Sequence, residues 1–285
     1  MNESNVILTG LPRSGTTLTC HLLNTLPDTV ALHEPMQGRH VAGDVDDEER
    51  CRTIERFFAE QRASILAHGR AASRTFNGVI PDNPFGDALT EAGWRRHLDA
   101  KGEIAVDREL NPDFMLVVKH IASFTAMLAA LVQRFRVYAV IRNPLAVLGS
   151  WSTLDAPLRE GHVGPAERLD ADLRAKLATY GDPIDRQIHL LGWFFEQFHR
   201  HLPASTVITY EALVESGGQV LSVIHPGARD FREPFENRNA NLLYDRDYML
   251  RAGDRLLATE GAYWAWYSRD SVRNLLGELA ETRRG

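Results

Sequence analysis

The segment Gly10-Leu11-Pro12-Arg13-Ser14-Gly15-Thr16-Thr17 places a cation and three hydroxyl side chains around two glycines. The apolar run Val6-Ile7-Leu8 before it predicts a buried strand, and the hydroxyl residues predict the first turn of a helix. A strand, a tight glycine turn and a helix N-terminus together direct several backbone N–H groups toward one point. The segment therefore predicts a phosphate-binding loop.

Gly10 and Gly15 have the spacing of the nucleotide phosphate loop GxxxxGK[ST], but the lysine position of that pattern holds Thr16. The only cation inside the loop is Arg13. A kinase or NTPase without this lysine loses its main contact to the β- and γ-phosphates. We therefore expect the loop to bind a phosphate group but not the phosphate chain of ATP. The alternative is a glycine-rich turn that binds no ligand.

The pattern from Pro12 to Thr17 resembles the 5′-phosphosulfate loop of sulfotransferases that use 3′-phosphoadenosine 5′-phosphosulfate (PAPS). It is most similar to the branch that contains tyrosylprotein and carbohydrate sulfotransferases. The resemblance implies that Arg13 lies against the transferring sulfuryl group. The residues that it assigns to the 5′-phosphate are Ser14, Gly15, Thr16 and Thr17.

A second phosphate motif follows the apolar strand pattern that ends at Ile141. Asn143 is a good helix N-cap, and Pro144 fits the first helical turn, so a helix start lies beside Arg142. Ser150 lies about two turns further on, near the same face. This arrangement resembles the 3′-phosphate motif of the family, which pairs an arginine with a serine. The alternative is a surface arginine before an ordinary helix.

A carboxylate, Glu34, follows the short strand pattern Thr29–Leu32. The carboxyl end of a parallel strand lies on the rim where α/β sheets bind ligands, and Pro35 disfavours the helical conformation for Glu34. Without the resemblance, the sequence favours a solvated loop residue at Glu34 over a functional one. The resemblance implies that it is the general base.

Lys119 and His120 follow another apolar run, Phe114–Val118. In the family a strand that ends in lysine stands at this place, which implies that Lys119 or His120 assists Arg13 in neutralising charge. His33 and His120 are rivals to Glu34, because a histidine is the base in the cytosolic sulfotransferase branch.

Parallel strands are needed to position these residues, and the sequence predicts them at 5–9, 29–32, 114–119, 135–141 and 206–210. These strands predict the α/β class, with a three-layer α/β/α arrangement and a central parallel sheet of about five strands. The resemblance implies the P-loop-like sulfotransferase fold. Residues 114–141 form a right-handed βαβ unit, with a helix over Ile121–Gln133.

We expect a single domain over 1–285, with helical insertions at about 37–107 and 155–183. In the first insertion, the acidic segment Asp44–Arg50 predicts the start of a helix that ends near Ala67, followed by a loop over Arg70–Gly86 and a helix over Asp87–Ala100. The second contains a helix over 165–180, either a lid over the acceptor or a plain connection. Further helices are predicted at 184–202, 246–259 and 270–281.

Composition limits the function classes. A net charge of −6 argues against general nucleic-acid binding, and the two cysteines form no disulfide framework or metal-binding spacing. No apolar run approaches the ~18 residues of a membrane span, and Met1–Asn5 leads into the first strand without a signal peptide. We therefore expect a cytoplasmic enzyme without a membrane span.

The resemblance implies a PAPS-dependent sulfotransferase that acts by in-line displacement on a small-molecule or carbohydrate hydroxyl, without a metal, and releases PAP. The segment 217–245 lacks the Arg-Lys-Gly nucleotide clamp of the family, and the sequence identifies neither the acceptor nor the oligomeric state. One alternative is a divergent P-loop kinase in which Asp107, after the run Ile104–Val106, holds Mg²⁺. The other is a non-catalytic nucleotide-binding module.

Overall fold

The structure, a computed structural model, describes residues 3–37, 41 and 45–281. Its strands are β1 (Asn5–Gly10), β2 (Thr29–His33), β3 (Arg70–Thr75), β4 (Phe85–Leu89), β5 (Arg95–His97), β6 (Ala100–Ala105), β7 (Met115–Lys119), β8 (Arg136–Ile141) and β9 (Val207–Thr209). Its α-helices are α1 (Thr16–Leu23), α2 (Asp47–His68), α3 (Ala122–Ala126), α4 (Leu128–Leu131), α5 (Pro144–Ser152), α6 (Gly164–Leu169), α7 (Ala171–Leu177), α8 (Pro183–His201), α9 (Tyr210–Glu215), α10 (Arg246–Leu257) and α11 (Arg269–Glu281).

Five strands form a central sheet in the order β2-β7-β1-β8-β9, and all their pairings are parallel. Apolar residues fill these strands, and Ile7, Val117 and Val140 are completely buried. Strands buried on both faces require helices on both faces. The predicted three-layer α/β/α architecture with about five parallel strands is therefore confirmed.

The chain changes direction across this sheet at β1. It passes from β1 through α1 to β2 on one side, and from β7 through α3 and α4 to β8 on the other. Such a reversal opens a crevice outside the carboxyl ends of the strands, where α/β sheets bind ligands. The residues that end the five strands at this edge are Gly10, His33, Lys119, Ile141 and Thr209.

The predicted helix after β8 is present, and its N-cap forms as expected. The side-chain oxygen of Asn143 accepts hydrogen bonds from the N–H groups of Leu145 and Ala146, at 3.0 and 3.3 Å. The helix predicted over Ile121–Gln133 is instead divided into α3 and α4. The break falls at Met127, whose N–H is shared between two carbonyl oxygens of the preceding turn.

The first insertion differs from its prediction in its second half. The predictions of a loop over Arg70–Gly86 and a helix over Asp87–Ala100 were wrong. In the structure, β3 pairs with β6 and β4 pairs with β5, both antiparallel. Helix-forming residues in this stretch are interrupted by Gly93, which has a φ of +79° and closes a turn from Thr90 to Trp94. Strand pairing here overrides helix propensity.

Two other segments depart from the expected boundaries. Asp44, the predicted start of the first long helix, lies outside the described residues; α2 begins at Asp47, and the Asp46 side chain caps it by accepting from Glu49 N–H at 2.8 Å. The single helix predicted over 165–180 is two helices, α6 and α7, and Asp170 between them caps α7. Among the described residues, no helix combines the length and apolar character that crossing a membrane requires.

Candidate active site

The loop between β1 and α1 has a strained backbone. A side chain at Gly10 would place its Cβ only 2.2 Å from the carbonyl oxygen of Val140, so only glycine allows β1 and β8 to approach here. Gly15 has a φ of +92°, and Arg13 has a φ of +74° although it carries a side chain. Left-handed conformations of non-glycine residues are costly and cluster at functional sites. The fold therefore maintains an unfavourable conformation at Arg13.

A cavity of about 510 Å³ opens at the carboxyl edge of the sheet above this loop. That volume lies within the range of small-molecule sites. The first N–H groups of α1 point out of the helix and have no carbonyl behind them, which suits an anion. We call this cavity of about 510 Å³ the larger cavity. The residues that line it include Pro12, Arg13, Gly15, Thr16, Thr17, His33, Glu34, Asn83, Phe85, His97, Lys119, Arg142, Tyr210, Phe235 and Arg238.

The predicted loop residues divide into two groups. Gly15, Thr16 and Thr17 line the larger cavity. The Ser14 hydroxyl is buried between the carbonyl oxygens of Leu11 and Val140, at 2.8 and 2.7 Å, and its side chain does not line the cavity. Ser14 therefore fixes the shape of the loop, and its backbone N–H is bonded within the loop to Leu11 as well.

The Arg13 side chain is held from two directions. Its Nε donates to Ser150 Oγ at 3.2 Å, and its Nη1 donates to Asn83 Oδ1 at 3.1 Å. Its guanidinium lies 4.8 Å from the centre of the Phe85 ring. The first insertion and α5 thus orient the one cation of the loop toward the cavity.

Arg142 lies in the cavity wall, but its guanidinium is largely engaged by protein groups. It donates to Asn239 Oδ1 at 2.7 Å, to the Arg13 carbonyl at 3.0 Å and to the Arg238 carbonyl at 2.5 Å. It also stacks 4.4 Å from the centre of the Tyr210 ring. Arg142 and the predicted partner Ser150 therefore meet at Arg13, where Arg142 contacts the backbone and Ser150 contacts the side chain.

Glu211, in the sequence Tyr210-Glu211-Ala212-Leu213, accepts hydrogen bonds that stabilise the cavity wall around Arg142. One carboxylate oxygen accepts from Asn143 N–H at 3.0 Å and from the Asn239 amide at 2.8 Å, and the other accepts from Tyr267 O–H at 2.7 Å. Because Asn239 in turn accepts from Arg142, the segment at 238–239 is tied to the start of α5.

Lys119 and Glu34 come together at the ends of β7 and β2. The register pairs His33 with Lys119, and Glu34 N–H donates to the Lys119 carbonyl at 2.8 Å. The Lys119 ammonium donates to Glu34 Oε1 at 2.9 Å and to His33 Nδ1 at 3.2 Å, with only 1% of its side chain exposed. An ammonium has three N–H donors. Glu34 and His33 are the two hydrogen-bond partners of the Lys119 ammonium in the described part of the chain, so its third N–H is available in the larger cavity that it lines.

Glu34 combines a strained backbone with a partly accessible carboxylate. Its φ is +45°, outside the right-handed helical region as Pro35 predicts, and 31% of its side chain is exposed. Burial raises the pKa of Glu34, but the charge of the Lys119 ammonium outweighs burial and lowers that pKa well below its usual range. Its second oxygen, Oε2, has no hydrogen-bond partner among the described residues. Glu34 is therefore an ionised carboxylate with one free oxygen.

A buried acid, Asp99, fixes the orientation of His33. Asp99 Oδ2 accepts from His33 Nε2 at 2.7 Å and from Arg74 Nε at 3.1 Å, and Oδ1 lies 2.7 Å from His97 Nδ1. Burial raises the pKa of Asp99, but the hydrogen bonds from His33, His97 and Arg74 hold that pKa far below its usual range. With Nε2–H donated to Asp99, His33 presents its Nδ1 lone pair to Lys119.

His120 does not line the larger cavity but a second one, and it is poorly placed to be a base. Its Nε2 accepts from Met36 N–H at 3.0 Å, so the lone pair of that nitrogen is already used. Burial and the neighbouring Lys119 lower the pKa of the other rival, His33, whose side chain is only 2% exposed. These contacts favour Glu34 among the three candidates.

A second cavity, of about 190 Å³, is also lined by Glu34. We call it the smaller cavity. Glu34 lines both cavities. The residues that line the smaller cavity are Glu34, Met36, Gln37, Val41, Arg74, Lys101, His120, Ser123, Phe124, Pro165, Arg168 and Leu169.

Sequence reasoning missed several residues of this site. Asp99, Asn83 and Phe85 belong to a stretch predicted as loop and helix, and no spacing in the sequence connects them to the phosphate loop. Arg238 lines the larger cavity from a segment in which only an Arg-Lys-Gly pattern was sought. The sequence signal that could have identified Arg238 is that it is a lone arginine among asparagines.

The kinase alternative loses its structural support. Its magnesium-binding acid, Asp107, is exposed and follows β6, which pairs with β3 outside the central sheet. Within the described ranges, no group of three or more histidine, cysteine, aspartate or glutamate side chains is arranged to hold a metal ion.

Comparisons with known proteins return structures only: no protein-family model matches the chain, and no curated protein does. The sulfotransferase domain from the curacin biosynthetic pathway is 16% identical with a TM-score of 0.41, and 96% of each chain is covered. The sulfotransferase domain from the Synechococcus PCC 7002 olefin synthase is 13% identical with a TM-score of 0.39, covering 100% of this chain and 96% of that one. A sulfotransferase from Mycobacterium tuberculosis H37Rv is 13% identical with a TM-score of 0.34, covering 97% and 77%. All three TM-scores are below 0.5, so the function proposed below is drawn from the residues of this chain.

Proposed function

We propose that this chain is a PAPS-dependent sulfotransferase that transfers a sulfuryl group to a hydroxyl of a small-molecule or carbohydrate acceptor, with Glu34 as the general base. The observation that carries the proposal is the position of Glu34. Glu34 lines both the cavity built on a phosphate loop and a second cavity, and its carboxylate is bonded to a buried lysine that also lines the first.

The larger cavity fits a donor with a phosphate at each end of a nucleoside. Thr16, Thr17 and the N-terminus of α1 suit a 5′-phosphate, and Arg142 and Arg238 offer positive charge farther along the wall. Because Arg142 already bonds three protein oxygens, we expect Arg238 to share the 3′-phosphate with it. Bound PAPS would supply a sulfuryl group attached to a 5′-phosphate leaving group.

Arg13 and Lys119 would provide the fixed positive charge that such a reaction needs. Both side chains line the larger cavity and are held by hydrogen bonds to the protein, so little reorganisation is required during the reaction. Preorganised donors of this kind are often the largest contribution to catalysis. We expect the third N–H of Lys119 to donate a hydrogen bond to a sulfuryl oxygen or to the leaving phosphate oxygen.

Glu34 would receive the proton of the acceptor hydroxyl on Oε2, the oxygen that Lys119 does not occupy. A carboxylate whose pKa is held far below neutrality is a weak base. A ligand anion bound to the third N–H of Lys119 would offset part of the lysine's charge and so raise the pKa of Glu34. Lys119 would thus couple donor binding to the basicity of Glu34.

Transfer of radioactive sulfate tests this proposal. Wild-type protein and Glu34→Gln are incubated with [³⁵S]PAPS and a panel of phenol, alcohol and sugar hydroxyls, and labelled products are separated. We expect labelled product from the wild type and a reduction in kcat of about 10²–10⁴-fold for Glu34→Gln, with the affinity for PAP retained. Normal turnover by Glu34→Gln would refute the assignment of the base. If His120→Ala abolished turnover at the same time, the base would be His120.

A further inference from the structure

The smaller cavity carries more positive charge than its own acid balances. Arg74, Lys101 and Arg168 line it, whereas the one carboxylate among its described lining residues, Glu34, is already paired with Lys119. Among the described residues, neither Lys101 nor Arg168 makes an ion pair or a side-chain hydrogen bond. This local excess of cations contrasts with the net charge of −6 of the whole chain.

Two of these cations are placed opposite each other on neighbouring strands. Arg74 on β3 pairs directly with Lys101 on β6 in the antiparallel register, so both side chains lie on the same face. Like charges in directly opposed positions are destabilising. Asp99 neutralises Arg74 through bonds of 3.1 Å and 3.3 Å, but the charge of Lys101 remains uncompensated. The third cation, Arg168, comes from α6 in the second insertion.

The rest of the lining is largely apolar. Met36 follows β2, Phe124 belongs to α3, and Pro165 and Leu169 flank Arg168 on α6. Such a surface suits a hydrocarbon or aromatic segment between charged ends. The smaller cavity thus has three features. Glu34, which also lines the larger cavity, supplies a carboxylate; the wall is apolar; and the cations come from two separate insertions.

We infer that the smaller cavity selects an anionic acceptor: a molecule in which an apolar segment joins the reacting hydroxyl to a carboxylate or similar anionic group. The hydroxyl lies at Glu34, the apolar segment contacts Phe124 and Leu169, and the anion is bound by Lys101 and Arg168. This inference rests on the proposed function, because it takes the smaller cavity as the acceptor side of the reaction.

The test compares acids with their uncharged esters. Titration calorimetry measures binding of 4-hydroxyphenylacetate, 6-hydroxyhexanoate and the methyl ester of each, to the free protein and to the protein saturated with PAP. We expect each acid to bind about tenfold more tightly than its ester, the effect of one charge-assisted contact. The preference should decrease as salt concentration rises, because both cations are exposed to solvent.

Substitutions locate the preference in the cavity. Lys101→Met and Arg168→Met keep the apolar stems, and each should reduce the preference for the acid at least about threefold. Arg174→Met removes an exposed arginine on the neighbouring helix α7, outside the cavity lining, and should leave the preference unchanged. Unchanged thermal unfolding of each variant shows that it folds.

The outcomes separate the inference from the function on which it rests. If no acid binds, if acids and esters bind equally, or if Arg174→Met has the same effect as Arg168→Met, the inference is overturned even where PAP binds. If PAP itself does not bind while the acid preference and its loss in Lys101→Met are observed, the anion site stands and the proposed function fails.

Discussion

Replacing Asp99 by asparagine probes the buried charge cluster beside the proposed catalytic residues. The Asp99 side chain is completely buried, and its carboxylate contacts His33, Arg74 and His97. Asparagine has nearly the same shape but carries no charge. The substitution therefore removes the negative charge on which three cationic or hydrogen-donating partners converge, without creating a cavity.

The expected loss of stability follows from the exposure of the partners. Removing one member of a fully buried ion pair costs about 3–5 kcal/mol. Arg74 and His97 keep some access to water, with 22% and 39% of their side chains exposed, and the asparagine oxygen still accepts a hydrogen bond. We therefore expect the free energy of unfolding to fall by about 2–3 kcal/mol at neutral pH, or about 4–10 °C in Tm.

The pH dependence gives a second, independent readout. Because the pKa of Asp99 is lowered in the folded protein, its charge stabilises the fold above the pKa of an unfolded aspartate, and this contribution is lost as pH falls through the lower folded pKa. In urea titrations, the difference in unfolding free energy between wild type and Asp99→Asn should become smaller from about pH 5 toward about pH 3.

Activity should fall as well, because the amide can donate to His33 Nε2 and shift the His33 proton to Nδ1, which faces the Lys119 ammonium. A decrease in kcat of about tenfold corresponds to one oriented hydrogen bond of about 1.4 kcal/mol. Asp107→Asn is the matched control, because Asp107 is an exposed acid that follows β6, the strand that Asp99 precedes. This substitution should change the free energy of unfolding by less than about 0.5 kcal/mol. A variant as stable and active as wild type, or a stability difference that grows as pH falls, would refute this account of Asp99.

Three further predictions concern the loop, the nucleotide wall and the lysine. Gly10→Ala should destabilise the fold by about 3 kcal/mol or more in chemical unfolding, because the added Cβ would lie 2.2 Å from a backbone oxygen and the φ is +148°; wild-type stability would contradict this. Arg142→Ala should weaken PAP binding by about 1.5–3 kcal/mol in calorimetry, and unchanged affinity in a folded variant would exclude Arg142 from the 3′-phosphate site. Lys119→Met should raise the pKa of Glu34, because burial is then uncompensated; the acid limb of the kcat/KM profile should therefore move to higher pH than in wild type, and an unmoved limb would show that Glu34 is not the base.

The central sheet could be predicted from the sequence because its strands are continuous apolar runs that end in recognisable turns. Met115–Lys119 and Arg136–Ile141 lie within a residue of their predicted positions. The first insertion could not be predicted, because its strands are short and mostly polar and contain residues that also form helices. Their conformation depends on the pairing of β3 with β6, which joins residues far apart in the chain.

The candidate site shows the same division. Parallel strands end at one edge, so a carboxylate after β2 and a lysine at the end of β7 could be expected to meet, and Lys119 does bond Glu34 at 2.9 Å. Ser150 was expected beside Arg142, but it contacts the Arg13 side chain instead, because a spacing of two helical turns fixes the face of a helix but not its partner. Asp99 could not be anticipated, since it comes from the insertion whose fold the sequence does not indicate.

Titration of the protein with PAP, with 5′-AMP and with ATP in the presence of Mg²⁺ tests the central claim most directly. The claim is that the larger cavity is a site for a nucleotide with separate 5′- and 3′-phosphates, built on a loop that lacks the lysine of ATP-binding proteins. We predict that PAP binds at least about tenfold more tightly than 5′-AMP, which lacks the 3′-phosphate, and more tightly than ATP. Binding of ATP with Mg²⁺ as tight as that of PAP, or no binding of PAP at all, would contradict the account.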